Sequence, residues 1–207
     1  MTGGVGTDAG LRALVRLSGA LALGADQDLG PFLEEAARWA PAEEVEEALL
    51  QSYLFLGYPA ALNALAEWRR VSGRDAPPEA PGGWDAWGSR GESVCREVYG
   101  RTYGDLRENI SRLSPDMDRW MVVEGYGKVL GRPGMELWRR ECCIAAILMV
   151  LGAAPQLRSH LRGALRTGTP PQVLDGVVQS VLGLVPPERQ DRAREVWNEV
   201  RTRWENT

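Results

Sequence analysis

RRECCIAAILMVLGAAPQLRSHLRGALRTG, residues 139–168, is the stretch whose reading decides the fold. It opens with an apolar helical run, turns at residues 152–155 and enters a second helix. Leu137, Ile144, Ala145, Leu148 and Met149 recur at helical spacing, and Glu141 falls on their face. In the second helix Leu157, Leu161, Ala164 and Leu165 make a similar face, with His160 inside it. A carboxylate and the chain's one histidine therefore point inward from neighbouring helices. Buried ionisable groups are costly unless paired or used. A lone histidine on an apolar face also fits a hydrogen-bonded core residue, so both readings stand. In a bare antiparallel hairpin Glu141 lies farther from the turn than His160. At about 1.5 Å rise per residue, direct contact then needs a crossing angle, a bridging water or a neighbouring subunit.

The 207 residues suffice for one large domain or two small ones, and 44% hydrophobic residues can bury a core. A net charge of −4, with no long basic run, argues against a nucleic-acid partner. The start, MTGGVGTDAG, lacks the basic and apolar parts of a signal peptide. The longest apolar run, residues 142–154, is too short to span a bilayer, so no membrane partner is expected. Cys95, Cys142 and Cys143 have no metal-ligand spacing, and no metal is expected. A cytoplasmic setting with reduced thiols follows. Adjacent Cys142 and Cys143 diverge by about 100° on a helix and make poor disulfide partners.

Outward from the central stretch the whole chain reads as helical. The first helix runs from Leu11 to about Gly24. Asp26 or Asp28 caps a second, from about Leu29 to Arg38. Pro41, Glu43 and Glu44 start another, which runs through EEVEEALLQSYLFLG. Gly57 and Pro59 interrupt it before AALNALAEWRRV continues. Residues 74–89, rich in Pro and Gly, read as a linker. Beyond it come GESVCREVYG, then one or two helices broken near Pro115 and stopped near 131–134. The helix pair follows, and two further helices start at Pro170–Pro171 and Pro186–Pro187.

The chain is self-similar at an offset of 128 residues, without gaps. Leu23-Gly24-Ala25 matches Leu151-Gly152-Ala153. Leu29, Leu33, Ala36 and Arg38 match Leu157, Leu161, Ala164 and Arg166. Val45 matches Val173, and Gln51-Ser52 matches Gln179-Ser180. At this offset His160 corresponds to Phe32 and Glu141 to Ala13. Both substitutes are apolar, which places both positions toward the core, and the polar pair is present in one copy and absent from the other.

Residues 90–168 resemble the carboxymuconolactone decarboxylase superfamily, which also contains alkylhydroperoxidase D. The resemblance lies in RGESVCREVYG, VEGYGKVLGRPG, RRE and LRSHLRGALRTG. In the N-terminal half EEVEEALLQSYLFLGYPAALNAL is similar to the family's C-terminal helix segment. The resemblance implies an all-α fold of two pseudo-twofold-related helical units, as in alkylhydroperoxidase D. The expected organisation is a degenerate unit at 1–73, the linker at 74–89 and a unit at 90–207 carrying the Glu/His pair. The peroxidase motif E-x11-C-x2-C-x3-H spans Glu141 to His160, but its cysteine positions hold Ala153 and Gln156. A thiol peroxidase, the alternative function, therefore lacks its nucleophile. A non-catalytic helical protein that keeps the fold is the other alternative.

The decarboxylase branch implies a cofactor-independent lyase acting on a small carboxylated lactone or related acid. Such a reaction needs an acid, His160, held by a carboxylate, Glu141 or Glu124. Arg132, Arg139 and Arg162 are candidates to hold the substrate carboxylate. The tail LGLVPPERQDRA departs from the family's pattern, and GTPPQVLDGVVQ lacks its usual acidic residues. The family's rings of single-unit chains imply a homo-oligomer here, a trimer mimicking a six-unit ring. Segments 43–56 and 172–185 are expected to pair within the chain, with Tyr53 or Tyr58 helping to line the site.

Overall fold

A computed structural model describes residues 8–206. Residues 1–7, on which most of the signal-peptide reading rests, and residue 207 lie outside them. The described residues are all-α, as the periodicity predicts, with no strand among them.

Local chemistry sets the helix ends. Helix α1 (Ala9–Leu21) is capped by Asp8, whose carboxylate accepts from the Leu11 amide at 2.7 Å. Asp28 accepts from the Gly30 amide at 2.9 Å and starts α2 (Gly30–Trp39), with Pro31 in the first turn. Helix α3 (Ala42–Gln51) carries Glu43 and Glu44 in its first turn. A one-residue turn at Ser52, itself right-handed helical, ends it, and the break in helical backbone comes at Gly57, where the sequence places the interruption. The chain turns at Ser52 and α4 (Tyr53–Ser72) begins there, kinked at Gly57 by a left-handed φ of +79°. Residues 74–83 are irregular, but α5 (Trp84–Tyr99) starts within the stretch read as linker.

Helices α6 (Tyr103–Leu113) and α7 (Pro115–Trp120) follow, the second capped by Ser114. Where ordinary helix was expected, Met121–Leu130 is wound as a π-helix. Such segments are rare and shift the side-chain register within a helix, frequently at functional sites. A Cβ at Gly91 would strike the Val122 carbonyl, and one at Gly127 the Trp87 carbonyl. These two glycines let α5 and the π-helix cross at backbone contact.

Helix α8 (Leu137–Leu151) is the centre of the molecule. Every residue from Arg140 to Val150 is buried, as an all-round apolar helix must be. It packs on α1, α9 (Ala154–Arg166) and α10 (Pro171–Leu182), and α11 (Pro187–Glu205) lies over α9. Polar ties bind its start to α3. Arg140, with no exposed surface, donates to Glu47 Oε2 at 2.9 Å and to the carbonyls of Arg132, Pro133 and Met135. Arg132 meets the same Glu47, and Arg139 pairs with Glu44 and Asp8. Burial pulls the Arg140 guanidinium below its usual range, and Glu47 opposes that shift.

Candidate acid–base site

Glu141 and His160 meet directly, within one chain. Glu141 Oε2 lies 2.8 Å from His160 Nδ1, and the Glu141 side chain has no exposed surface. The two side chains span the axial offset of a straight hairpin by direct contact. The close approach depends on Gly163, where a Cβ would stand 2.6 Å from Glu141 Oε2. Glu141 Oε1 is buried without a hydrogen-bond partner. Phe55 of α4 packs edge-to-face on the imidazole at 5.9 Å between centroids and limits its rotation.

His160 opens onto a cavity of about 570 Å³. With Nδ1 engaged by Glu141, Nε2 is the ring nitrogen left to the cavity. Leu54 and Phe55 wall it from α4, Tyr99 from α5, and Leu106 and Ile110 from α6. Met117, Trp120, Glu124 and Tyr126 close it from α7 and the π-helix. Glu124 therefore shares the cavity with His160, while Glu141 stands behind the imidazole. Tyr53 donates to Glu124 Oε1 at 3.0 Å, and Lys128 Nζ is 3.8 Å from the same oxygen. Burial, and then the Glu124 carboxylate, push the Tyr53 hydroxyl well above its usual pKa.

Two tyrosines had no place in the sequence reading. Tyr126 donates to the Tyr99 hydroxyl at 3.2 Å, and the rings meet edge-to-face. Burial holds both hydroxyls protonated, and the Glu141 charge adds to the effect. Their sequence signal lies in the stretches that carry the resemblance: Tyr99 ends RGESVCREVY before the glycine that closes α5, and Tyr126 stands in VEGYGKVLGRPG two residues after Glu124.

Several expected contributors lie elsewhere. Arg132 and Arg139 are engaged by Glu47 and by Glu44 with Asp8, and neither lines the cavity. Arg162 also lies outside it, on α9, where burial and then Arg203, Arg158 and Arg166 lower its pKa. Tyr53 reaches the site only through Glu124, and Tyr58 stacks on Tyr53 with 60% of its surface exposed. Ala13, the counterpart of Glu141, is fully buried, but Phe32, the counterpart of His160, is only partly buried, beneath Arg16.

The three cysteines are free and buried. Burial raises every thiol: Cys143 to about 11, Cys95 to about 12, and Cys142 further still. Among the described residues no cluster of His, Cys, Asp and Glu is placed to hold a metal ion. None of their helices is long and apolar enough to cross a membrane.

No family model matches the chain. It is 30% identical over 129 residues to "Peroxisomal protein 2" of Schizosaccharomyces pombe, covering 60% of this chain and 61% of that protein. It is 30% identical over 80 residues to 4-carboxymuconolactone decarboxylase of Acinetobacter baylyi, covering 38% of this chain and 60% of the relative. The chain thus spans about six-tenths of the length of these relatives. The second similarity supports a distant relationship to the carboxymuconolactone decarboxylase superfamily.

Proposed function

We propose that the protein is a cofactor-independent acid–base lyase of the carboxymuconolactone decarboxylase kind, acting on a small acid whose carboxylate is conjugated with, or β to, a carbonyl. The carrying observation is the Glu141–His160 pair, with Nδ1 held at 2.8 Å and Nε2 left to a 570 Å³ cavity. As the bond to the carboxylate carbon breaks, its electron pair passes to the carbonyl and leaves an enolate. His160 delivers the Nε2 proton to carbon, and Glu141 orients the ring and balances the imidazolium. Glu124, which lines the same cavity from the π-helix, is suited to return a proton to His160 from solvent.

The thiol-peroxidase alternative finds little support. Its cysteine positions hold Ala153 and Gln156, and the thiols present are buried and protonated. The test of the lyase reading is carbon dioxide release from β-keto acids and carboxylated unsaturated lactones, with His160→Gln as control. Release equal in wild type and variant would leave the non-catalytic reading.

We further propose that the chain is two fused units. Helix α8 begins 128 residues after α1, at Leu137 against Ala9, and α1–α4 and α8–α11 follow in the same order, which supports this. On that reading Leu54 and Phe55 complete the pocket of the other unit, and the chain assembles as a trimer. Light scattering at several concentrations tests the assembly, and a monomer throughout would refute it. The free thiols support a reducing, cytoplasmic setting.

A further inference from the structure

Among the described residues, no arginine or lysine lines the cavity beside His160 to meet a carboxylate. Of the residues lining that cavity, Glu124 is the one carboxylate and His160 the one imidazole. Lys128 leans on Glu124 from outside and lines neighbouring hollows instead. The rest of the wall is largely apolar, with Leu54, Phe55, Leu106, Ile110, Met121 and Leu130, and its further polar side chains, Tyr99, Tyr126, Gln156 and Ser159, are neutral. A carboxylate transferred to such a surface finds neutral hydrogen-bonding groups but no cationic side chain to balance its charge, and beside Glu124 it also meets a like charge.

From this we infer the substrate class: an apolar-bodied acid with a single carboxylate, the one that leaves, and no second charged group. The inference rests on the lyase reading above. One carboxylate is tolerated because the His160 ring, the proton donor of that reading, lines the cavity and because the charge disperses as carbon dioxide departs. When the C–C bond breaks, its electron pair moves onto the carbonyl oxygen, the Nε2 proton passes to carbon, and solvent restores the imidazolium. Tyr99 accepts from Tyr126, so its own proton is free for the enolate oxygen. A second carboxylate has no such partner.

Benzoylacetate and its para-carboxylated analogue test this by turnover, and their products acetophenone and 4-acetylbenzoate by NMR-monitored binding. Acetophenone is expected to bind at least about 10-fold tighter than 4-acetylbenzoate, with kcat/KM for the two acids in the same order. The variant Ile110→Arg, checked for folding by circular dichroism, should narrow both ratios. If 4-acetylbenzoate binds as tightly as acetophenone, or if neither binds, the inference falls. If acetophenone is preferred but neither acid loses carbon dioxide, the cavity's charge selectivity stands and the lyase reading falls. If both acids turn over equally, the lyase reading stands and the inference falls.

Discussion

Gly163 leaves open the space that the carboxylate of Glu141 occupies, for a Cβ there would stand 2.6 Å from Oε2 and 2.7 Å from Val98 Cγ1. In an exposed helix Gly→Ala gains up to about 1 kcal/mol. Here the clash wins. Gly163→Ala is expected to lower stability by about 1–3 kcal/mol and to abolish turnover by displacing Glu141. Urea denaturation with a carbon dioxide assay measures both, and an unaltered variant would show that Glu141 is not held against α9.

Removing His160 alone should damage the fold as well as the chemistry. It leaves the fully buried Glu141 without its one hydrogen-bond partner, a loss of about 3–5 kcal/mol. The double variant Glu141→Ala with His160→Phe, the residues found at Ala13 and Phe32, removes the stranded charge as well. Its melting temperature should exceed that of His160→Ala while turnover stays absent. Equal instability in the two variants would show that the charge is not what matters.

The thiols set an alkaline limit. Burial lifts the folded-state pKa of Cys143 to about 11 from an ordinary 9.0. Its contribution to stability is therefore complete below pH 9 and is lost as pH rises through 11, because the unfolded chain releases the proton first. Between those limits Cys143 contributes a loss of up to about 1.4 kcal/mol per pH unit, and Cys143→Ala should make the fall less steep, Cys95 and Cys142 keeping their shares. Native protein at pH 8 should react slowly with a thiol reagent and expose all three cysteines in urea. Rapid native labelling, or dithiol-dependent peroxide reduction lost with Cys142 or Cys143, would reopen the peroxidase reading.

Arg140 ties α8 to the N-terminal half through Glu47, with none of its own surface in water. Glu47→Gln is expected to cost about 3 kcal/mol in urea unfolding, since Arg140 and Arg132 both lose their counter-charge. Arg112→Ala, which breaks an exposed pair with Glu108, should change nothing measurable. Similar effects from the two changes would show that the buried network does not hold the halves together.

The periodicity of residues 139–168 by itself determines that two helices meet at Gly152 and that Glu141 and His160 face inward. A helical repeat of 3.6 residues assigns each side chain a face, and that follows from the chain alone. The face does not determine the partner. Whether Glu141 touches His160 depends on how closely α8 and α9 cross, and a glycine in α9 decided that. The cavity was equally illegible, because its walls come from α4, α5, α6, α7 and the π-helix, far apart in sequence. So were the arginines: residue type makes Arg132 and Arg139 look available to a ligand, but tertiary packing brought Glu47, Glu44 and Asp8 to them first. Local geometry decides which way a side chain points, and only the fold decides what already stands there.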